Sequence, residues 1–246
     1  MIDRIRWVYR AWRYRLKVER QEIRWILRNL RPGETAVDIG AHKGAYTYWL
    51  HRRAGPLGQV FAFEPQPVLA KRLLSLVRGA GLANVRVEQL GLSSMPGSME
   101  LSIPGGGSSP SASFESTEDT RGANLKMPVE VTTLDRYFSA TGSAPIRFIK
   151  CDAEGHELQV FRGAEQTLRR DRPDLMFECE QRHLADHTPH DVFAYLEGLG
   201  YRGQAFAANG LVDIEHFDPA DHQAQPGSPA YINNFLFRAQ RGTDSS

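Results

Sequence analysis

A glycine-containing turn between a short strand and a helix constrains the fold of this chain more than any other feature. Segment 35–47 begins with Thr-Ala-Val-Asp-Ile, which is typical of a buried strand, and continues through Gly40 and Gly44 into residues at helical spacing. A helix starting at the carboxyl end of a parallel strand points unpaired backbone N–H groups at the ligand position of open α/β sheets. The segment predicts an α/β domain with a cofactor site, and a purely structural turn is the alternative.

The spacing of the glycines indicates which cofactor this turn would hold. A dinucleotide site requires G-x-G-x-x-G, whereas here the pattern is G-x-x-x-G and Asp38 precedes the first glycine by two positions. A carboxylate at this point would repel a diphosphate, but it suits a cationic or amine-bearing ligand such as S-adenosylmethionine. The pattern therefore argues against NAD.

The next two predicted strands add candidate nucleoside contacts. Residues 59–64 form an apolar run that ends in Glu64 and is stopped by Pro65. An acid about 20 residues beyond the glycine turn is where nucleoside-binding α/β folds accept hydrogen bonds from ribose hydroxyls. Residues 85–90 alternate as a third strand, and the residues that would lie beside the adenine follow it: Gly91, Leu92 and Ser93.

The fourth predicted strand, residues 146–152, ends in unusually polar chemistry. Three carboxylates and an imidazole follow its apolar run: Asp152, Glu154, His156 and Glu157. Glu157 has a local explanation, because an acid in a first helical turn complements the helix dipole. Asp152 and His156 are predicted at the reactive end of the cofactor. A fifth strand, residues 174–180, again ends in acids, among them Glu178.

Alternation of strands and helices continues to residue 240 and predicts one domain over residues 32–240, a parallel sheet with helices on both faces. Within it, β-like runs at 98–103 and 127–133 flank residues 104–124, which are rich in Gly, Ser and Pro. Such a loop is either disordered or a mobile lid, and we favour the lid. The tail, residues 241–246, is predicted to be disordered.

Residues 1–31 form a basic amphipathic segment, one helix or a pair, with apolar residues such as Ile5, Val8, Trp12 and Leu16 at helical spacing. We expect it to cap the domain. The alternative is docking on an anionic membrane or an acidic partner, with Trp7 and Trp12 as interfacial anchors.

Composition excludes several other classes of protein. The formal net charge of +1 argues against a nucleic-acid partner, which requires a concentrated basic surface. Two cysteines at the ends of apolar runs indicate buried thiols and a reducing compartment. The N-terminus has no apolar leader and no run approaches the length of a membrane span, so we expect a cytoplasmic protein, membrane-associated only if the N-terminal segment docks.

Five segments together resemble the FkbM family of S-adenosylmethionine-dependent methyltransferases. They are Val37 to Thr47, Phe63-Glu64-Pro65, Thr133-Leu134-Asp135, Ile149 to Glu157 and Phe177-Glu178, and the most specific is I-K-x-D-x-E-G-x-E. The resemblance covers roughly residues 30 to 240. It implies a class I methyltransferase Rossmann-like fold with seven mostly parallel strands, in which residues 231–237 form the antiparallel strand. It also implies methylation of a hydroxyl on a sugar, glycan or secondary metabolite.

The resemblance also implies roles for individual residues. The methionine part of the cofactor would be held by Asp38, Gly40, Gly44 and Thr47, the ribose by Glu64 with Pro65 beside it, and the adenine region by Gly91, Leu92 and Ser93. His42 stands where family members often have Asn, so its role is open.

Methyl transfer to a hydroxyl requires alignment of the acceptor and removal of its proton. We expect Asp152 to be the base, followed by His156 and Glu154 as candidates. A divalent metal held by Asp152 and Glu178 is an alternative, because such an ion would lower the pKa of the hydroxyl. Two other functions stay open: a non-catalytic cofactor-binding module recruited through the basic N-terminal helix, and an NAD-dependent oxidoreductase. A homodimer formed through a sheet edge or that helix is also open.

Overall fold

The computed structural model describes residues 2–105, 109, 111–115, 125–142 and 144–240. The predicted tail, 241–246, and most of the predicted 104–124 loop lie outside these residues. Within them the strands are β1 (Thr35–Ile39), β2 (Gln59–Phe63), β3 (Val85–Glu88), β4 (Gly91–Leu92), β5 (Gly97–Ile103), β6 (Leu125–Thr132), β7 (Ile146–Cys151), β8 (Asp174–Glu178), β9 (Tyr201–Ala207), β10 (Gly210–Asp213) and β11 (Asn234–Ala239).

The helices alternate with the strands after an N-terminal helix pair. They are α1 (Ile2–Arg13), α2 (Arg20–Asn29), α3 (Ala45–Ala54), α4 (Pro67–Gly79), α5 (Leu134–Thr141), α6 (Glu157–Arg162), α7 (Glu165–Asp171), α8 (Pro189–Gly198) and α9 (Pro219–His222). One π-helical turn, Tyr14–Val18, joins α1 to α2.

The main sheet has the strand order β10-β9-β11-β8-β7-β1-β2-β3. β1 pairs in parallel with β2 and β7, and β11 runs antiparallel to both β8 and β9. The predicted class of fold and the late antiparallel strand are confirmed, although that strand begins at Asn234 rather than at 231. The described residues place eight strands in this sheet rather than seven. The additional strand, β10, pairs with β9 through the two-residue turn Ala208-Asn209.

A second, three-stranded sheet has the order β4-β6-β5. The two β-like runs predicted around the long loop form its antiparallel pair, β5 and β6. Gly91 and Leu92 form β4 beside β6, so the residues predicted to follow the third strand belong to this small sheet.

Side chains of the main sheet alternate between two buried faces, as the pleat requires. Ala36, Val60 and Met176 pack with helices α1 to α4 in one cluster. Val37 and Phe61 pack with helices α5 to α8 in the other cluster, together with alternate residues of the neighbouring strands. The prediction of helices on both faces is confirmed, and the carboxyl ends of β1, β2, β7 and β8 meet at one edge.

The N-terminal segment is a helix pair that packs on the domain. Trp7 and Ala11 are buried, and the indole N–H of Trp7 donates to the Gly44 carbonyl at 2.7 Å. In return, the Trp49 indole donates to the Ala11 carbonyl at 2.8 Å. The predicted buried stripe of the first helix was wrong, because Ile5, Trp12 and Leu16 are exposed. Trp7 is consequently a core residue and not an interfacial anchor.

None of the helices in the described part of the chain is both long and apolar enough to span a bilayer.

Replacing Trp7 by alanine tests whether the N-terminal helix belongs to the folded core. We expect Trp7→Ala to lower the free energy of unfolding by about 3 kcal/mol, because it removes a buried indole and its hydrogen bond to Gly44. Trp12→Ala is the matched control; that indole is 40% exposed, and the loss should be about 1 kcal/mol. Chemical denaturation measures both, and equal losses would contradict the assignment.

Candidate active site

The turn after β1 touches the end of β7 through Gly40. The backbone N–H groups of Gly40 and Ala41 donate to the Phe63 carbonyl at 3.0 Å, which ties the turn to β2. Gly40 has a φ of +72°, and a Cβ there would lie 1.9 Å from the carbonyl oxygen of Asp152. Only glycine permits both the backbone conformation and this approach.

Asp38 is buried at the end of β1 and is held by Thr47 of α3. The Thr47 hydroxyl donates to Asp38 Oδ2 at 2.5 Å. Burial raises the pKa of Asp38 to about 6, although the hydrogen bond from Thr47 acts in the opposite direction. Asp38 lines a small cavity with Tyr46, Lys150 and Asp152, whereas Thr47 is fully buried behind it.

Glu64 is buried at the end of β2 and accepts two backbone hydrogen bonds. Their donors are the N–H of His42, at 2.7 Å, and that of Gln66, at 2.9 Å. Burial raises the pKa of Glu64 to about 7. A carboxylate offers about four acceptor positions, so the side chain retains capacity for two further donors in the cleft that it lines.

The segment after β7 brings Asp152 into the same cleft. The Asp152 N–H donates to the Ile39 carbonyl at 3.0 Å, and its side chain is 34% exposed. Its Oδ2 lies 3.6 Å from Nζ of Lys150, while Oδ1 has no hydrogen-bond partner among the described residues. One carboxylate oxygen, itself shielded from solvent, is therefore left without a hydrogen-bond donor, while the side chain as a whole lines the cleft.

His156 lies apart from the acids that the sequence groups with it. Its Nε2 is 2.9 Å from the Ser93 hydroxyl and its Nδ1 is 2.7 Å from Oε1 of Glu115. The ring is buried and does not line the cleft. Gly44 also lies behind the cleft, where a Cβ would meet the Leu73 and Trp7 side chains. Gly91, Leu92 and Pro65, in contrast, line it.

Glu154 and Glu178 lie at the strand ends near Asp152, but both have protein partners. Oε2 of Glu154 is 3.0 Å from Nδ1 of His183, and the Asn233 amide donates to Glu178 at 2.9 Å. With the Lys150 ammonium beside Asp152, these contacts do not form a set of free metal ligands. Across the part of the chain that the structure describes, no three His, Cys, Asp or Glu side chains are grouped to hold a metal ion.

Lys150 is a buried cation whose importance the sequence reasoning missed. Its side chain is 1% exposed, and its ammonium lies 5.1 Å above the Tyr46 ring. Burial lowers the pKa of Lys150, but the carboxylates of Asp152, Glu19 and Glu178 outweigh that effect and raise it. The available signal was a lone lysine between apolar residues of a buried strand, just before an acid.

The N-terminal segment and the long loop also supply cleft residues that the sequence did not reveal. Tyr14 and Glu19 line the cleft from the turn between α1 and α2, and the Tyr46 hydroxyl donates to Glu19. Phe114 lines it from the described part of the loop, and Ser109 exchanges two hydrogen bonds with Gln66. The described loop residues thus cover part of the cleft, as a lid would, and its mobility stays a prediction.

The complete cleft has a cavity volume of about 240 Å³ and is open to solvent on one side. Its lining carries five carboxyl groups, those of Glu19, Glu64, Asp152, Glu154 and Glu178. Burial raises the pKa of Glu19, Glu64 and Glu178, and a cationic ligand would stabilise their charged forms.

Comparison with known proteins identifies the family. The model of the methyltransferase FkbM domain matches residues 38–202, about two thirds of the chain. The chain belongs to the FkbM methyltransferase family. No curated protein sequence matches this FkbM methyltransferase. Membership of this methyltransferase family supports S-adenosylmethionine as the cofactor.

Solved structures agree with the fold at low sequence identity. The FkbM methyltransferase of Methylobacillus flagellatus KT is 16% identical with a TM-score of 0.53; the match covers 96% of this chain but 54% of that protein, so this chain spans about half its length. An rRNA methylase of Streptococcus thermophilus is 11% identical, with a TM-score of 0.50 and coverage of 89% and 95%. The Streptococcus mutans protein SMU.1697c, solved with SAH, is 9% identical, with a TM-score of 0.50 and coverage of 89% and 96%.

Glu157 supports the segment that carries the acids. Its Oε1 accepts hydrogen bonds from the N–H groups of Ala153, at 2.8 Å, and Gly155, at 3.3 Å, while its Oε2 has no partner in the described residues. Burial raises the pKa of Glu157 to about 8. Glu157 therefore holds the backbone of the segment that carries the acids, in addition to lying in the first turn of α6.

This burial makes a pH-dependent contribution to stability. The folded pKa of Glu157 lies above its unfolded value of 4.5, so its contribution is fully present below that value and is lost as the pH rises toward about 8. We expect the free energy of unfolding of Glu157→Gln, relative to the unmodified chain, to increase by on the order of 3 kcal/mol between about pH 5 and pH 8. Denaturant titrations across that range measure it, and a constant difference would contradict the raised pKa.

Proposed function

We propose that this protein is an S-adenosylmethionine-dependent O-methyltransferase acting on a hydroxyl of a sugar, glycan or secondary metabolite. The observation that carries the proposal is the position of Asp152. Its carboxylate has one unpartnered oxygen, lies in the cleft and is held against the glycine turn that begins the cofactor site. A free carboxylate at this point is the group that would accept the proton of a hydroxyl acceptor.

The residues around the turn fit S-adenosylmethionine. Glu64 keeps two acceptor positions for the ribose hydroxyls, and Gly91 and Leu92 line the adenine end with Pro65. Asp38 and Asp152 face the region of positive charge near the methionine part. When bound, the cofactor supplies an electrophilic methyl group on a positively charged sulfur.

His42 contributes to this site through its backbone and its ring. Its N–H orients the Glu64 carboxylate, and its φ of +48° belongs to the sharp turn after Gly40. Burial lowers the pKa of His42 to about 4, so the ring is neutral, and its Nε2 has no partner in the described chain. A neutral ring adds no positive charge beside the cofactor's cation, which is compatible with the change from Asn to His.

Asp152 would orient the acceptor hydroxyl and take its proton on the carboxylate that lines the cleft. The buried Lys150 ammonium lies 3.6 Å from Oδ2 of the same carboxylate and would help to hold it in position. Glu154, which is paired with His183, would contact the acceptor as a second candidate group. The buried His156 would act only by supporting the loop through Glu115 and Ser93. Proton transfer to the Asp152 carboxylate requires no metal ion, and Glu178 already accepts a hydrogen bond from Asn233.

The charge of the cleft supports an uncharged or cationic acceptor. A nucleic acid would bring phosphates toward a wall of carboxyl groups, and electrostatic repulsion would oppose its binding. Hydroxyl-rich sugars and metabolites carry donors that carboxylates accept. Specificity would depend on Tyr14 and Glu19, which line the cleft from the N-terminal segment.

Two alternative functions have weaker support. A non-catalytic module would not need the unpartnered oxygen of Asp152, and an NAD-dependent oxidoreductase would place a diphosphate beside Asp38 and Asp152. Cofactor titration tests the oxidoreductase, and turnover on a hydroxyl acceptor separates the methyltransferase from the non-catalytic module.

Calorimetric titration with S-adenosylhomocysteine and with NAD tests the cofactor site. We expect binding of the first only, and we expect Glu64→Ala to weaken it about tenfold or more, because the ribose loses a bidentate acceptor. Glu100→Gln, a change at an exposed position on β5, is the control and should bind normally. Binding of NAD, or of neither ligand, would overturn the assignment.

Substitution of Asp152 tests the proposed base. Asp152→Asn should retain cofactor binding and lose about 10² to 10⁴ in kcat on a hydroxyl acceptor, because the amide cannot take a proton. The acceptor is found by screening sugars and metabolites with the unmodified enzyme. Glu154→Gln serves as the neighbouring control and should lose less. Unchanged turnover of Asp152→Asn would remove Asp152 as the base.

A further inference from the structure

Helix α1 has a second apolar face, opposite the one that packs on the domain. The buried face carries Trp7 and Ala11. On the other side, five apolar residues recur at spacings of three and four. Their exposed fractions are 64% for Ile2, 62% for Ile5, 71% for Tyr9, 40% for Trp12 and 57% for Leu16. At about 100° per residue the first four fall within one narrow sector of the helix. We call these five residues the apolar stripe.

The stripe is unusual for this molecule as a whole. Of the ten large apolar side chains that are exposed in the described residues, six lie between Ile2 and Val18. The other four are scattered over separate parts of the chain: Leu57, Val68, Met95 and Leu125. Singly exposed apolar residues are ordinary, but a continuous line of them marks a surface that binds something.

The charges beside the stripe indicate what that partner is. Residues 2–20 contain seven cations and two acids, and five of the cations are exposed: Arg4, Arg6, Arg13, Lys17 and Arg20. Both acids face the protein's own groups, since Asp3 pairs with Arg72 and Glu19 accepts from the Tyr46 hydroxyl. The outer surface of the segment is thus apolar along its centre and positively charged beside it.

We propose that α1 and the π-helical turn dock on an anionic lipid bilayer. The apolar stripe would enter the boundary between headgroups and acyl chains, and the exposed arginines would contact acidic headgroups. Because the opposite face of α1 is anchored by Trp7 and Ala11, the helix can meet the membrane without leaving the domain. The attachment is peripheral and does not rest on the proposed catalytic function.

Vesicle co-sedimentation of the full chain tests this surface. Vesicles of phosphatidylcholine alone are compared with vesicles that also contain phosphatidylserine. We expect the phosphatidylserine vesicles to bind about tenfold or more tightly, and added salt to weaken that binding, because several cations contact the anionic surface. Equal binding to both compositions, or no binding to either, would overturn the proposal.

Paired substitutions assign the binding to the stripe. Ile5→Ser with Tyr9→Ser should reduce vesicle binding about tenfold or more, since both side chains are exposed and apolar. Leu57→Ser with Val68→Ser is the control. It changes two apolar residues elsewhere that are exposed by 88% and 61%, and it should have no effect on vesicle binding. Thermal unfolding of each variant verifies that the fold is retained. Undiminished binding of the stripe variant would contradict the assignment.

A second pair assigns the charge dependence. Arg6→Gln with Arg13→Gln should remove most of the preference for phosphatidylserine, whereas Arg78→Gln with Arg162→Gln should keep it.

Sedimentation equilibrium without lipid tests the alternative, in which a second copy of this chain covers the apolar stripe. A dimer that Ile5→Ser with Tyr9→Ser dissociates, together with absent vesicle binding, would replace the membrane by a homodimer interface.

Discussion

The close approach between the turn after β1 and the end of β7 is the contact on which the rest of the site depends. The Asp152 N–H bonds to the Ile39 carbonyl, and Gly40 leaves room for the Asp152 carbonyl where any side chain would collide with it. This contact places the proposed proton acceptor directly beside the cofactor turn. Because parallel neighbouring strands end at the same edge, the acids that follow β2 and β8 arrive at the same cleft.

Electrostatics then follows from the number of acids at that edge. Burial raises the pKa values of Asp38, Glu64 and Glu178, and neighbouring carboxylates raise them further. Both effects oppose the ionisation of these groups. The buried ammonium of Lys150 compensates part of this repulsion from beneath the cleft. A positively charged cofactor such as S-adenosylmethionine would compensate more of this repulsion.

The N-terminal segment connects this site to the outside of the molecule. Its inner face packs through Trp7 and Ala11, and the turn that follows places Tyr14 and Glu19 in the cleft. π-helical turns are frequent at functional sites. Here the turn follows α1, which packs on the domain, and the two cleft residues lie at the two ends of the turn. The segment is therefore more than a cap, since it contributes to the wall of the cleft.

Local pattern in the sequence determined the α/β class, the β1 turn with Asp38 and Gly40, the position of Glu64 and the acids after β7. These features follow from periodicity and from residues within one strand and turn, which short-range sterics and hydrogen bonding specify. Only the tertiary structure decided which side chains share the cleft. Tyr14, Glu19 and Phe114 reach it from distant segments, and His156 turns away to Ser93 and Glu115. In α1 periodicity alone identified the wrong buried face, because two apolar faces have the same spacing and the shape of the domain selects which one it covers.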